Sequence, residues 1–250
     1  MARQKKLYDK PEEPVAVVAV EEPAPELKEK LEFKTSLGKE VGSGKITSLN
    51  EIFARGDKIR EPSIFDKFVP NPIIEYVLIG QSRGKFGGGK RKDIKQTQKK
   101  TAEGNKPHFS AMAIVGNGNG FVGVGVGKAQ ESIPAREKAV RNAKLNLIEI
   151  VRGCGSWKCG CGEAHSLPFA TKGKCGSVEV KLIPAPKGVG LVCDKEVQKL
   201  LRAAGYKDIW MKSNGQTRHK IEFIFAVFDA LKKATEMKVK EGYKVYRGAL

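Results

Sequence analysis

Hydrophobic and polar residues alternate through the middle of the chain. Phe109 to Val115 is an apolar run that leads into Asn117-Gly-Asn-Gly120, and from Phe121 to Val126 hydrophobic residues alternate with glycine. A period of two predicts strands, and Asn and Gly, which tolerate positive φ, predict a tight hairpin turn between them. Ile94 to Ala102 alternates more loosely and predicts another strand, after a short apolar stretch from Ile73 to Ile79. The period then changes. From Ser132, a residue type suited to N-capping, to about Ile150 the pattern is helical, with Ala139, Ala143, Leu147 and Ile150 on one face. Arg136, Lys138, Arg141 and Lys144 occupy other positions. This unit reads as β-β-β-α.

A second unit follows. Ser177 to Ile183 alternates as a strand and runs into a Pro- and Gly-rich loop, Pro184 to Gly190. Lys195 to Ala204 predicts a helix closed by Gly205, Ile209 to Met211 a short strand, and Ser213 to Arg218 a turn. Ile221 to Ala234 predicts a helix whose Phe223, Ala226, Val227, Ala230 and Leu231 suit packing onto a sheet. The expected fold class is α+β with two small domains, residues 73–150 and 177–235. Residues 1–34, where prolines alternate with glutamates, predict a disordered acidic tail. Residues 35–72 form an N-terminal extension with short helical patches such as Leu49 to Phe53. Residues 151–176 carry the cysteines, and 236–250 read as a basic, irregular tail.

Charge narrows the partner. Across 250 residues, 46 Lys and Arg stand against 28 Asp and Glu, a net charge of +18 with a pI near 9.7. Such a surplus points to a polyanion, with nucleic acid ahead of an anionic membrane surface. No run approaches the ~18 apolar residues of a spanning helix, and no signal-peptide pattern opens the chain, so a cytoplasmic location is expected. Between Arg83 and Lys106 there are nine basic and two acidic residues. Arg83, Lys85, Lys90, Arg91 and Lys92 sit beside Gly84, Gly87, Gly88 and Gly89 in a loop over residues 80–93, and Lys95, Lys99 and Lys100 follow on the strand. Charge runs are usually solvated, but this clustering repels itself unless phosphates offset it. Phe86 is the sole aromatic of that loop, so phosphate contact and RNA shape are favoured over base stacking there.

Gly118, Gly120 and Gly123 match a dinucleotide fingerprint by letter, but alternation continues through Val126 where that motif requires a helix. Gly127-Lys128 lacks the other positions of a phosphate loop. Two readings remain for the glycines: turn geometry alone, or a side-chain-free face that RNA backbone can approach, the reading the charge favours. Cys154, Cys159, Cys161 and His165 lie within twelve residues, a donor set suited to a structural tetrahedral zinc, with Cys175 as an alternative fourth ligand. The rival is a loop of free thiols. Four protein ligands leave no open position for a zinc-dependent nucleic-acid enzyme, and no nucleophile–base pair is evident.

Together, four stretches resemble the universal S-five family of small-subunit ribosomal proteins in its archaeal form, known as S-two in eukaryotes. They are Ile46 to Phe53 with Ile59 to Pro62; Ala113 to Lys128 with the helix at Ala139 to Ile150; Cys175 to Val178 with Leu182 to Gly190; and Gly215 to Arg218 before the last helix. The resemblance implies a first domain similar to a double-stranded-RNA-binding domain and a second with a left-handed β-α-β crossover. It implies a non-enzymatic structural role, binding small-subunit rRNA near the decoding region and the mRNA entrance, beside the fourth and eighth small-subunit proteins, and a contribution to translational accuracy. Asn117, Asn119, Lys128, Lys187 and Arg218 would lie at or near RNA, with no membrane and no small-molecule substrate. Residues 80–93 read as an insertion relative to the family. The rival role is an RNA chaperone or regulator outside the ribosome.

Overall fold

The computed structural model describes residues 33–81, 91–238 and 244–248. Three short helices, α1 (Ser36–Gly42), α2 (Leu49–Arg55) and α3 (Pro62–Phe68), precede a sheet built from β1 (Ile73–Tyr76), β2 (Ile94–Thr101), β3 (Gly104–Gly116), β4 (Phe121–Ala129) and β5 (Leu147–Glu149), with α4 (Ser132–Leu145) between the last two. After β6 (Arg152–Gly153) comes a second sheet, from β7 (Thr171–Cys175), β8 (Val178–Pro184), β9 (Leu191–Val192) and β10 (Ile209–Asn214), with α5 (Lys195–Ala204) and α6 (Lys220–Glu236); β11 (Val245–Tyr246) returns to pair with β6.

The first sheet runs β1-β3-β4-β5 and is antiparallel throughout. The long β3 divides one edge between two partners. Its C-terminal half pairs with β1, as Tyr76 with Ala113, and its N-terminal half with β2, as Ile94 with Ala111. The second sheet runs β7-β8-β10-β9; β9 and β10 are parallel and are joined through α5.

The Val-Gly alternation of β4 is what allows this arrangement. Val122 and Val124 face one side and are buried with Met112 and Ile114 of β3 against Leu200 and Leu201 of α5 and Phe223 of α6. Gly123, Gly125 and Gly127 face the other side, where α4 lies. A Cβ on any of the three would come within 3.0 Å of α4 backbone, at Ala143, at Ala139 and Ala143, and at Ala135 and Ala139 respectively. Those alanines recur every fourth residue and form the buried face of α4. The glycine face is therefore not open to RNA, and turn geometry does not account for it either; the chain's own helix occupies it. Among the glycines from Gly116 to Gly127, only Gly118 and Gly120, in the turn, have positive φ. Past the end of β5, the exposed edge of β4 is closed by side chains, with Asn142 Nδ2 donating to the Val126 carbonyl at 2.8 Å and Asn146 Nδ2 to the Val124 carbonyl at 3.0 Å.

Several expectations shift. Ser132 is the first helical residue rather than the cap; Glu131 precedes it and makes no side-chain capping bond. The helix ends at Leu145, because Leu147 to Glu149 pair with β4 (Phe121 opposite Glu149), and a short apolar run cannot distinguish helix from strand by periodicity. β3 starts at Gly104 rather than Phe109, a stretch without apolar alternation that is held by its partner β2. The second sheet begins before residue 177, since Thr171 to Cys175 pair with β8. The two sheets share one core instead of forming two separate ones.

The N-terminal helices add a second cluster, in which Leu49, Ile52, Ile64 and Phe65 pack with Val115, Phe121 and Leu147. Phe53 and Phe121 stack with ring centroids 5.7 Å apart. The C-terminal strand is ordered as well, where a basic irregular tail was expected: Val245 pairs with Gly153, and the Gly248 carbonyl accepts from Asn50 Nδ2 at 2.7 Å.

Gly125→Ala should lower unfolding free energy by about 3 kcal/mol in urea titrations, because helix backbone would have to retreat from the strand. Lys138→Ala, on the exposed face of the same helix, should stay within about 0.5 kcal/mol of wild type.

Candidate nucleic-acid interface and metal centre

Beyond the sheet, β2 and the start of β3 continue as a two-stranded ribbon. From Lys95 to His108 every residue is exposed. A hairpin with neither face buried has little to hold it in water. Its charges oppose it further: Lys99 stands directly opposite Lys106, both exposed, and like charges facing across strands are destabilising. Lys95 pairs with Ser110, which pairs with Lys128, so Lys95 and Lys128 share a face two strands apart, about 10 Å by strand spacing. Lys128 is exposed. Lys100 lies on the opposite face of the ribbon, by strand alternation.

Where the ribbon meets the body, a groove of about 1300 Å³ opens between β2 and the start of α6, with Arg91, Lys92, Lys95, Arg136, Arg218 and Lys220 among its lining residues. Arg91 Nη1 bridges its walls by donating to the Arg218 carbonyl at 3.0 Å. Arg136 is partly neutralised, its Nε donating to Asp93 at 2.9 Å. Lys220 pairs with Asp194 at 2.9 Å. Arg83, Lys85 and Lys90 lie outside the described residues.

The hairpin turn sits differently from its expected place. Asn117 Oδ1 accepts from the backbone N–H of Asn119 and Phe121, at 2.8 and 3.0 Å, which closes the turn. Asn119 Oδ1 accepts from Arg152 at 2.6 Å. The Gly118 N–H donates to the Ala203 carbonyl at 2.9 Å, so the turn docks on the C-terminal end of α5. Both Oδ1 atoms are thus engaged inside the molecule, while both residues stay partly exposed at the turn.

The cysteine loop brings four ligands together. The ligand atoms of Cys154, Cys159, Cys161 and His165 all lie within 4.8 Å of one another. Cys159 Sγ is 3.4 Å from Cys161 Sγ and 3.8 Å from His165 Nε2. Cys175 is not part of the cluster; it lies on β7 and packs against the core. The Cys159 thiol is lowered to about 6, first by the backbone N–H of Cys161 and then by that of Lys187, both directed at its sulfur. Burial pushes Cys154 up and drives Cys193 up to about 11.

His165 is buried, and its Nδ1 lies 3.0 Å from Asp208 Oδ2. With Nδ1–H donating to Asp208, the Nε2 lone pair faces the sulfurs. The other carboxylate oxygen, Oδ1, accepts from the N–H groups of Gly188 and Gly190, at 3.0 and 2.8 Å. One aspartate thereby ties the ligand histidine to the Pro184–Gly190 loop. Lys187, exposed at the tip of that loop, donates to Glu163 at 2.8 Å.

Two family models match: "Ribosomal protein S5, N-terminal domain" over residues 89–151, and "Ribosomal protein S5, C-terminal domain" over residues 173–241. A curated relative from Nanoarchaeum equitans, named small ribosomal subunit protein uS5, is 49% identical over 215 residues, 86% of this chain and 92% of its own length. The chain belongs to the ribosomal protein S5 family. Two further members, with the same name, come from Pyrobaculum arsenaticum (46% identical over 208 residues, 83% of this chain and 96% of the relative) and Methanocaldococcus jannaschii (42% over 213 residues, 85% and 91%).

The N-terminal family domain contains the lysine ribbon, the glycine strand and its helix; the C-terminal one contains the Lys187 loop and Arg218. The cysteine cluster lies between the two matched segments, apart from Cys175 and Cys193. Asp208 was missed by sequence reasoning, because 43 residues separate it from His165 and no local motif links them. Lys106 could have been found from its register against Lys99 once the hairpin was drawn back to Gly104. Iodoacetamide applied at pH 7 to metal-stripped protein should modify Cys159 first and Cys193 last by peptide mass spectrometry, since a lowered thiol is thiolate at that pH and a raised one is protonated.

Proposed function

We propose that the chain is a non-catalytic structural constituent of the small ribosomal subunit, bound to rRNA near the decoding region and the mRNA entrance. The observation that carries the RNA contact is the exposed ribbon whose Lys99 and Lys106 face each other. Such a ribbon is stabilised when phosphate lies along it, and the relatives' name, small ribosomal subunit protein, supports rRNA as the source of that phosphate. Lys95, Lys99, Lys100 and Lys128 bind the sugar-phosphate backbone from the ribbon. Arg91, Lys92 and Arg218 bind it from the groove, with Arg83, Lys85 and Lys90 extending the same charge. Lys187 contacts RNA from its loop. Asn117 and Asn119 shape the turn that joins the two halves and, partly exposed there, lie at or near RNA. The fourth and eighth small-subunit proteins are neighbours, mRNA passes nearby, the role extends to decoding accuracy, and the site of action is the cytoplasmic ribosome. Nothing in the names of the relatives supports a job outside the ribosome.

The cysteine cluster holds a structural zinc. In a tetrahedral site with Zn–S of about 2.3 Å and Zn–N of about 2.0 Å, sulfurs lie ~3.8 Å from one another and ~3.5 Å from the nitrogen; Cys159 Sγ lies 3.4 Å from Cys161 Sγ and 3.8 Å from His165 Nε2, near both values. Three soft donors and one imidazole with a carboxylate behind it make a closed site. Cys154, Cys159, Cys161 and His165 bind the ion and Asp208 orients the histidine, so the metal pins the loop between the two family domains. No carboxylate among these residues is left free to act as a base toward substrate.

Sedimentation of native lysate through sucrose in high salt tests the first reading. The chain should travel with small subunits, and a pool running free would overturn the ribosomal assignment. In filter binding to small-subunit rRNA, Lys95→Glu, Lys99→Glu and Lys100→Glu together should weaken affinity and reduce the slope of log K against log salt by about 2 to 3, at ~0.7–0.9 for each phosphate no longer neutralised. Metal analysis should find one zinc per chain. Asp208→Asn should keep that stoichiometry at saturation while lowering zinc affinity by about 10- to 100-fold, read in a chelator competition.

A further inference from the structure

The side chain of Trp157 is 96% exposed, the most exposed of the large hydrophobic residues described. It lies between Cys154 and Cys159, two members of the metal cluster, at the outer end of a five-residue step. The residue before it, Ser156, is buried, and the residue after it, Lys158, is exposed. The base of the loop is fixed by several bonds. Gly155 N–H donates to the Leu167 carbonyl at 2.9 Å, Cys159 N–H to the Ser156 carbonyl at 3.0 Å, and Tyr246 Oη to the Gly162 carbonyl at 2.8 Å. The backbone under the indole is therefore anchored while the ring itself stands in solvent. At this exposure the ring buries almost none of its surface, so folding makes little use of it.

We propose that Trp157 is a base-stacking residue, and that the cysteine loop is part of the RNA interface as well as a staple. This rests on the ribosomal reading above. An indole with an ammonium beside it suits an unpaired nucleotide, the ring on the base and Lys158 on the adjoining phosphate. The surface around the loop is cationic on balance, with Lys187, Lys207 and Lys244 exposed against Glu163, which pairs with Lys187. Charge of that sign at the rim favours nucleic acid over an apolar protein patch. Among the described residues of the ribbon and groove no Trp, Tyr or Phe is fully exposed; these parts hold phosphate, and Trp157 supplies stacking. Metal in the cluster would fix the ends of the five-residue step and so hold the ring in a constant direction, lowering the ordering cost of the contact.

The test uses the full-length, zinc-loaded chain carrying Trp210→Phe, so that Trp157 is the sole tryptophan. Small-subunit rRNA transcribed from the same organism is the probe. The indole emission should fall on titration with rRNA, and acrylamide quenching of the residual emission should drop several-fold. In the otherwise wild-type chain, Trp157→Ala should weaken rRNA binding by about 5- to 100-fold with zinc content and unfolding midpoint unchanged, and Trp157→Tyr should restore most of the affinity where Trp157→Leu does not. Unchanged affinity of the alanine variant, or an indole still fully quenchable in the complex, overturns the proposal. Protection that appears only in the assembled subunit and not with rRNA alone assigns Trp157 to a protein neighbour and also overturns it. If no zinc is found but the indole is protected by rRNA, the stacking stands and the metal reading falls. If the chain does not sediment with subunits yet Trp157 stacks on rRNA, the ribosomal reading fails separately.

Discussion

The close approach of α4 to β4 is the contact on which the molecule depends. Three glycines on one strand face meet three alanines spaced by four on one helix face, and backbone meets backbone. No larger side chain fits on the strand side, so the sheet can be covered on this face only by a helix at very short range. With that face sealed, the valines on the other side are free to make a common core with α5 and α6. The device recurs in the second sheet. A Cβ on Gly173 of β7 would meet the α6 backbone at Ala226 and Ala230. At the junction between the halves, Gly116 lies against Ala203 and Gly205 against Gly118. Small residues thus set the distances within each half and between them. The family assignment covers both halves, and one shared core gives the reason they act as a single body.

A body packed at this range leaves its positive charge nowhere to go but outward. The cationic side chains collect on the ribbon, along the groove and on the Lys187 loop; in the groove Asp93 and Asp194 answer Arg136 and Lys220, and on the loop Glu163 answers Lys187. Where ion pairs do form, as between Lys187 and Glu163 or Lys174 and Glu179, both partners are well exposed, and pairs of that kind contribute little to stability. The exposed cations thus have their main energetic role in binding. Rigidity in the body and surplus charge at its projections are complementary properties, since phosphate contacts are strongest when the groups that make them are already in place.

The cysteine cluster joins these two aspects. It lies outside the strands of both main sheets, in the connection between the matched family segments, and its geometry reaches into the second half through Asp208 and the Gly188 and Gly190 amides. The Lys187 amide directed at Cys159 closes the circuit. The cysteine–histidine cluster is therefore bonded to the connection and to the lysine loop together.

The sequence by itself determined a good deal. Strand alternation, the hairpin turn, the positions of the three longest helices, the basic stretch after residue 90 and the clustering of Cys154, Cys159, Cys161 and His165 all follow from local spacing, and local spacing is written in the chain. Four separated motifs carried the family resemblance. What only the tertiary structure decided were pairings over long separations. Glycines on a strand face mean the same thing in sequence whether a helix or an RNA covers them, so the role of Gly123, Gly125 and Gly127 depended on where α4 packs. That the turn of Asn117 to Gly120 docks on Arg152 and the end of α5 is likewise invisible in its local sequence. Cys175 competed with His165 as a ligand until β7 paired with β8 and drew it into the core. Asp208 entered the site only because α5 and β10 return the chain to His165. In each case the deciding quantity is a distance between residues far apart in the chain, which periodicity and composition do not contain.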